Sequence, residues 1–262
     1  MMDRTGVRCR AAAIALIAVG IAGCGGGGDG GSAVPPPAPP PATAEGVYGG
    51  TLTGSASSNF ELLVLENGEY WGLYGQQTAG AFLVAGFMQG SGSSNAGSFT
   101  SSNARDFGYL PPLQGSVNAT YNTTAKTVQG TITAPGATVG FTGGPITGST
   151  YSYDGAAGPA AITGAWSLVD LGGNPITISI AANGSFTGNA SGCSLSGSVI
   201  PRPSGKNVYN LSLTFGSAPC LLPGASATGV ALSYPLSNGT AQLIVAGVNG
   251  SRSTGMAAFG TR

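Results

Sequence analysis

Short alternating or apolar segments, bounded by Gly, Asn or Pro, follow one another from about residue 46 onward. Alternation with a period of two residues is typical of strands that bury one face. Four Asn-Gly pairs separate apolar segments of this kind and lie at residues 67–68, 183–184, 238–239 and 249–250. Asn-Gly is the strongest short-range hairpin signal, because a type I′ turn needs a positive φ at two successive residues. The pattern therefore predicts an all-β fold made of antiparallel hairpins.

The segments divide into two halves that resemble each other. Gly-Val-Tyr opens the first half and Gly-Ala-Trp, at residues 164–166, opens the second; in each half an apolar strand, an Asn-Gly turn and an aromatic strand follow. We predict two domains, 46–143 and 163–262, joined by a linker at 144–162. Each has about eight strands, enough to close a small antiparallel β-barrel filled by alternating side chains. Two β-sandwiches satisfy the same alternation and are the alternative fold.

The N-terminal residues have the pattern of an export signal. Three arginines and one aspartate in the first ten residues precede thirteen apolar or small residues, 11–23. As a helix that run spans about 20 Å, less than the roughly 30 Å hydrocarbon core of a bilayer. A cleaved signal peptide over residues 1–23 is therefore predicted rather than a membrane-spanning helix.

The end of this run, Ile21-Ala22-Gly23-Cys24, resembles the lipobox of bacterial lipoproteins. That resemblance implies cleavage before Cys24 and acylation, for example with palmitate, of its thiol and new amino terminus. Several acyl chains, at about 0.8 kcal/mol for each buried CH₂, anchor a protein to a membrane stably. Gly25 stands where inner-membrane lipoproteins typically carry Asp, so the resemblance favours the outer membrane. An ordinary secretory signal cleaved nearby is the alternative.

Residues 24–45 connect this anchor to the strands. Gly and Pro dominate them and no apolar periodicity is present. Such a composition cannot bury enough apolar surface to offset the entropy of ordering. We predict a tether, flexible where Gly dominates and extended polyproline where Pro dominates.

Charge and residue types exclude several functions. Only 7% of the residues are charged, so no cationic surface for nucleic acid is predicted. The sequence has no His, the commonest general base and a common metal ligand. The sequence also has no nucleophile-elbow or phosphate-loop motif, and no G-x-G-x-x-G that follows a predicted strand. We therefore predict a protein that is not an enzyme, without catalytic residues, metal or cofactor.

One enzymatic alternative depends on carboxylates. Glu61, Glu66 and Glu69 are the densest acidic residues, and two carboxylates suffice for glycoside hydrolysis. A hydrolase of envelope glycans acting through Glu61 or Glu69 is the enzymatic hypothesis. Glu66 and Glu69 flank the Asn67-Gly68 turn, however, and we interpret them as solvated turn residues.

Two of the four cysteines remain for a disulfide. Cys9 lies in the signal and Cys24 is assigned to the lipid, which leaves Cys193 and Cys220. In an oxidising compartment an even pair predicts one disulfide. Closing a loop of this length contributes roughly 3 to 4 kcal/mol on the chain-entropy model.

The segment from Asn103 to Pro112 is interpreted as a long inter-strand loop with a possible binding role. Arg105 and Asp106 suggest an ion pair, and Phe107 and Tyr109 are aromatic. Arg and aromatic residues on loops are typical of recognition sites. The alternative is that the two aromatic residues plug a barrel end while the two charges are solvated.

A second aromatic group, Tyr70, Trp71 and Tyr74, is a candidate lining for a ligand cavity, since small barrels can hold one ligand. The alternative places these three side chains in an ordinary core.

The lipobox, the Gly/Pro tether and the Gly-rich antiparallel barrels together resemble the lipidated β-barrel surface proteins related to the transferrin-binding lipoproteins. The resemblance concerns architecture and implies a binding or surface-interaction role, without assigning a site. We expect an outer-membrane-anchored binding module whose partner is a protein or a small apolar ligand. A structural envelope lipoprotein without a ligand is the alternative.

Overall fold

The structure, a computed structural model, describes residues 42–78, 81–220 and 222–262. The predicted signal peptide, Cys24 and most of the predicted tether lie outside these residues. The described part is all-β, and its one helical turn is a 3₁₀ helix at Pro159–Ala161. The predicted pair of eight-stranded antiparallel barrels is confirmed.

The first barrel is closed by eight strands and carries a ninth, β5, on β6 alone. Around this barrel the hydrogen-bonded strands follow the order β4-β3-β2-β1-β9-β8-β7-β6. The barrel closes where β4 pairs with β6, Met88 opposite Asp106 and Gln89 opposite Arg105. The strands are β1 (Gly46–Thr53), β2 (Asn59–Val64), β3 (Glu69–Gln77), β4 (Phe82–Ser91), β5 (Ser93–Asn95), β6 (Ser98–Asp106), β7 (Leu113–Asn122), β8 (Thr127–Ala134) and β9 (Ala137–Gly144).

The second barrel is an up-and-down barrel in which each strand pairs with its neighbours in sequence. Pairing of β10 with β17, through Val169 and Phe259, closes it. The strands are β10 (Gly164–Asp170), β11 (Pro175–Ile180), β12 (Ser185–Ala190), β13 (Cys193–Pro201), β14 (Tyr209–Phe215), β15 (Ser226–Pro235), β16 (Ala241–Val248) and β17 (Gly255–Thr261).

All four Asn-Gly pairs lie in hairpins, but the predicted turn type is wrong. In the β2–β3 hairpin only Gly68 has a positive φ, 79°, and its N–H donates to the Leu65 carbonyl. The Asn67 side chain accepts from the Glu69 N–H at 3.0 Å. This is a three-residue loop in which a type I turn precedes one left-handed residue, so Asn is selected for its side-chain acceptor. In the β16–β17 turn the residue with positive φ is Arg252 rather than Gly250.

The described residues form three apolar cores, one inside each barrel and one between them. One fills the second barrel around Trp166, Ile178 and Leu213. Another lines the first barrel around Tyr48 and Phe99. The third lies between the barrels, where outward-facing residues of β2–β4 pack on outward-facing residues of β15–β17.

The shared core explains why some strands are apolar on both faces. Every residue of β16 after Ala241 is buried, because one face turns into its own barrel and the other against the first barrel. Phe87 stacks on Phe107 with ring centroids 4.9 Å apart. A Cβ on Gly255 of β17 would lie 2.5 Å from the Phe107 ring and 2.6 Å from that of Phe87. Only glycine allows this approach of β17 to the aromatic pair.

The predicted disulfide is confirmed. Cys193, the first residue of β13, is bonded to Cys220 in the β14–β15 connection. The two cysteines are buried at the edge of the second barrel's core. The bond therefore ties the start of β13 to the loop that follows β14.

Candidate ligand-binding cavity

The first barrel is open at one end. In β8, Val128 is 4% exposed, whereas Ile132 and Ala134, which lie on the same inward face, are half-buried. In β9 the same progression runs from buried Phe141 to half-buried Val139. Exposure of inward-facing side chains increases toward the end formed by the β1–β2, β6–β7 and β8–β9 loops, which is the mouth of the barrel.

A cavity of about 490 Å³ lies behind this mouth. Its wall is mostly aliphatic and aromatic, with serines at the β1–β2 loop and one carboxyl group, that of Asp106. Among the apolar residues that line it are Leu52, Phe60, Leu62, Met88, Val117 and Ile132. The volume falls within the range of roughly 300–1,000 Å³ that is usual for small-molecule sites.

The other end of the barrel is closed by the segment that precedes β1. The Tyr48 hydroxyl donates to the Ala44 carbonyl at 2.9 Å, and the Tyr121 hydroxyl donates to the Ala42 carbonyl at 2.6 Å. Ala44 is 2% exposed, and its N–H donates to Ser94 Oγ at 2.9 Å. The chain thus crosses the barrel bottom and leaves the mouth at the opposite end.

Small residues at inward positions explain why this barrel has a cavity. Gly72, Gly115 and Ala119 line the cavity and bring no bulky side chain into it. A Cβ added to Gly72 would meet only the Leu62 side chain, at 3.8 Å. The space in front of Gly72 is therefore open.

A polar pair interrupts the apolar wall near the mouth. The Tyr74 hydroxyl donates to Asp106 Oδ1 at 2.7 Å, and the Gly108 N–H donates to the same oxygen at 2.9 Å. Burial raises the pKa of the Asp106 carboxyl above its ordinary value, and these two hydrogen bonds oppose the rise. Burial and the nearby Asp106 carboxyl raise the pKa of Tyr74.

The predicted loop from Asn103 to Pro112 is only partly a loop. Asn103 to Asp106 belong to β6, and the connection to β7 covers residues 107–112. Strand alternation separates Arg105 from Asp106, whereas Phe107 and Tyr109 belong to the connection. Asp106 and Tyr109 line the cavity, and Tyr109 is 57% exposed at its mouth.

The other two candidates face the second barrel. Arg105 donates from Nη1 to the Ser251 carbonyl at 3.0 Å and also to the Arg252 carbonyl. Phe107 is 8% exposed and belongs to the inter-barrel core. No ion pair joins Arg105 to Asp106 among the described residues. Half of the predicted binding group therefore serves the barrel interface, and neither aromatic residue closes the barrel end.

The aromatic group of β3 divides in the same way. Tyr70 and Tyr74 line the cavity, whereas Trp71 faces outward into the inter-barrel core, 6.1 Å from the Phe87 ring. The Tyr70 hydroxyl lies 3.0 Å from Ser101 Oγ. Two of these three candidates are therefore cavity residues.

The carboxylates of the enzymatic alternative do not share a cleft. Glu61 is 3% exposed and accepts from the Tyr234 hydroxyl of the second barrel at 2.8 and 3.0 Å. Glu69 accepts from Trp71 Nε1 at 3.0 Å and from Gln89 Nε2 at 3.2 Å. Glu66 pairs with Arg202 at 2.8 Å. Glu66 is exposed at the turn, as predicted, although it also pairs with Arg202; Glu69 is partly buried and accepts two side-chain hydrogen bonds, so the solvated interpretation is wrong for Glu69.

Two further searches concern only residues 42–78, 81–220 and 222–262. There, no three His, Cys, Asp or Glu side chains are grouped as a metal site would require. In the same part of the chain, no helix has the length and hydropathy needed to cross a membrane.

The inward-facing small residues of the first barrel are the functional positions that the sequence interpretation missed. Gly72 and Ala119 alternate with larger residues in β3 and β7, and a count of apolar positions treats them as ordinary strand residues. The sequence gives no local signal for Gly72, because the second half also carries a glycine, Gly188, four residues after the Gly of its Asn-Gly pair.

Comparisons with known proteins name no relative. A scan against protein-family models finds no match, and a search of curated proteins finds no similar sequence. The resemblance to transferrin-binding-protein-like lipoproteins stays a prediction about architecture.

Proposed function

We propose that the first barrel binds a small, predominantly apolar molecule inside its cavity. The observation that carries this proposal is the apolar cavity of about 490 Å³, closed at one end and open at the other. An apolar pocket with a few polar groups is the usual form of a small-molecule site. The binding that we propose is reversible and non-covalent.

The second barrel supports the cavity wall. Strands β2, β3 and β4 turn one face to the cavity and the other to the inter-barrel core. Packing of Trp71 and Phe87 against the second barrel restrains these strands from the outside. A rigid wall lowers the entropic cost of ordering a binding site around its ligand.

We further propose that the protein is an exported lipoprotein, anchored to the outer membrane through Cys24. Two sequence features support this: the charged and apolar residues 1–23, and the lipobox-like residues 21–24. The Ala42 carbonyl lies at the closed end of the barrel. Residue 42, where the described part of the chain begins, therefore lies at the end opposite the mouth.

Filling the cavity tests the binding proposal. We expect Gly72→Leu to weaken binding of N-phenyl-1-naphthylamine, a neutral apolar fluorescent probe, by about tenfold or more, because the new side chain occupies ligand volume and overpacking is unfavourable. The measurement is a fluorescence titration of the purified protein, with circular dichroism to show that both proteins fold.

Gly250→Leu is the matched control, because Gly250 is exposed in the β16–β17 turn and a Cβ there meets nothing within 4 Å. This variant should bind the probe as the wild type does. If the wild type binds no probe, or if the two variants bind it equally well, the cavity is not a binding site. A structural envelope protein without a ligand then becomes the better hypothesis.

The anchor has its own test. Labelled palmitate should be incorporated into the wild-type protein, and Cys24→Ala should abolish labelling because it removes the acylated thiol. The Cys193→Ala/Cys220→Ala double variant is the control for loss of other thiols and should keep the label. Labelling of Cys24→Ala at the wild-type level would show that the lipid is not on this residue.

Protease treatment of intact cells then identifies the face of the membrane. Cleavage of the wild-type barrels in intact cells indicates surface exposure. Resistance until the outer membrane is permeabilised indicates the periplasmic face.

A further inference from the structure

We propose that the cavity of the first barrel selects amphiphiles with a cationic or neutral hydrogen-bond-donating head group and discriminates against fatty-acid carboxylates. This inference deepens the proposed function and rests on it. It concerns the head group of the ligand, whereas the proposed function concerns only its apolar body.

The first step is the charge of the wall. Among the described residues that line the cavity, none is Lys or Arg, and the sequence has no His. The one ionisable carboxyl group of the wall is that of Asp106. A bound carboxylate would therefore lose its hydration without gaining a cationic partner, and it would lie in a cavity that already holds an acid. Both effects disfavour the ionised form of the ligand.

The second step is the free acceptor on Asp106. Its Oδ1 accepts from the Tyr74 hydroxyl and from the Gly108 N–H. Its Oδ2 has no hydrogen-bond partner among the described residues, although the side chain lines the cavity. An ammonium or hydroxyl group of a ligand can donate to this oxygen, whereas an ionised carboxylate, which has only acceptors, cannot.

The third step is the direction of the ligand. Asp106 is the last residue of β6, and this strand ends at the mouth. Toward the closed end the wall is apolar, with Val64, Phe99 and Val128. An aliphatic tail therefore fits the depth of the cavity while its head group lies beside Asp106.

The rim agrees with this orientation. Tyr109 and Leu110 are 57% and 90% exposed in the β6–β7 loop, next to the acidic group. Ser55 and Ser57 line the cavity from the β1–β2 loop. An apolar rim with neutral hydroxyls and one carboxyl group matches an amphiphile that enters tail first.

Competition among three ligands tests the inference. Dodecylamine, 1-dodecanol and dodecanoate share one chain length and differ in head group. At pH 7.5, and below the micelle or solubility limit of each ligand, we expect the amine and the alcohol to displace N-phenyl-1-naphthylamine from the wild-type protein at concentrations about tenfold lower than dodecanoate, because charge-assisted hydrogen bonds favour the donors.

Asp106→Asn should reduce this preference. The amide keeps the size of the side chain and removes its charge, so affinity for dodecylamine should fall by about tenfold and dodecanoate should compete better than in the wild type. Asp170→Asn, the same change at the β10–β11 turn of the second barrel, should leave the order of the three ligands unchanged.

The outcomes separate the two proposals. If the wild type does not bind the probe, the proposed function fails. If the probe binds and dodecanoate displaces it as well as dodecylamine does, the head-group inference is overturned while the proposed function stands. The wild-type order alone decides this point, even if Asp106→Asn does not fold.

Discussion

Phe87→Ala is expected to lower the free energy of unfolding by about 3–5 kcal/mol and to destabilise both barrels together. Phe87 is fully buried in the inter-barrel core, stacked between Phe107 and Trp71. Removing its ring leaves a void next to Gly255 of the second barrel, where neighbouring backbone cannot easily fill the space.

The two tryptophans allow each barrel to be followed separately. Trp71 belongs to the first barrel and Trp166 to the interior of the second. In the Trp71→Phe background, Trp166 fluorescence reports urea unfolding of the second barrel alone. We expect Phe87→Ala to move this transition to lower urea concentration, although the mutation lies in the first barrel. A Trp166 transition that does not move would mean that the barrels unfold independently.

Leu83→Ala is the matched control for Phe87→Ala. Leu83 lies in the same strand, β4, and is 48% exposed. Its truncation should change the free energy of unfolding by less than about 0.5 kcal/mol, as is usual for surface positions.

Glu61→Gln is expected to stabilise the protein by about 3 kcal/mol at pH 8 and to have little effect near pH 4.5. Burial between the barrels raises the pKa of the Glu61 carboxyl to about 7, and the hydrogen bond from the Tyr234 hydroxyl opposes part of that rise. Glutamine has nearly the shape of the protonated acid and keeps an oxygen that can accept from Tyr234.

The direction of the effect follows from proton binding. Between about pH 4.5 and 7 the unfolded chain has released the proton of Glu61 while the folded protein still holds it. The folded state therefore binds more protons, and stability decreases as the pH rises through this window. Above about pH 7 this loss of stability is complete. A rise of the Glu61 pKa from 4.5 to about 7 corresponds to about 3 kcal/mol.

The surroundings of Glu61 contain no charged partner among the groups that contact it in the described structure. Tyr234 of β15 donates to both carboxylate oxygens and lies 3.2 Å from Gln242 Oε1 of β16. Tyr151 of the linker is also near, because the Glu61 charge contributes to raising the pKa of Tyr151. The pH effect is therefore assigned to Glu61 rather than to an ion pair.

Urea denaturation of the wild type and Glu61→Gln between pH 4.5 and 8.5 measures this effect. The difference between the two free energies of unfolding should grow with pH and level off above about pH 7. In Tyr234→Phe, which removes the hydrogen bond to the carboxylate, the levelling should move to higher pH. Parallel pH profiles for the wild type and Glu61→Gln would show that burial does not raise this pKa.

The sequence by itself determined the elements of the fold. Period-two alternation and Asn-Gly turns located the strands, because both depend on local geometry: successive side chains alternate between faces, and a left-handed turn residue favours glycine. Two cysteines, Cys193 and Cys220, remained outside the predicted signal and lipobox, and this was sufficient to predict the disulfide.

Tertiary structure alone decided which face of each strand meets which surroundings. Arg105 and Asp106 are neighbours in sequence, yet one contacts the second barrel and the other lines the cavity. Glu61, in an apolar strand, gives no local sign that a second barrel covers it. Strand periodicity shows only that a residue points to one of two sides; what occupies each side depends on contacts between residues up to 173 positions apart, as for Glu61 and Tyr234.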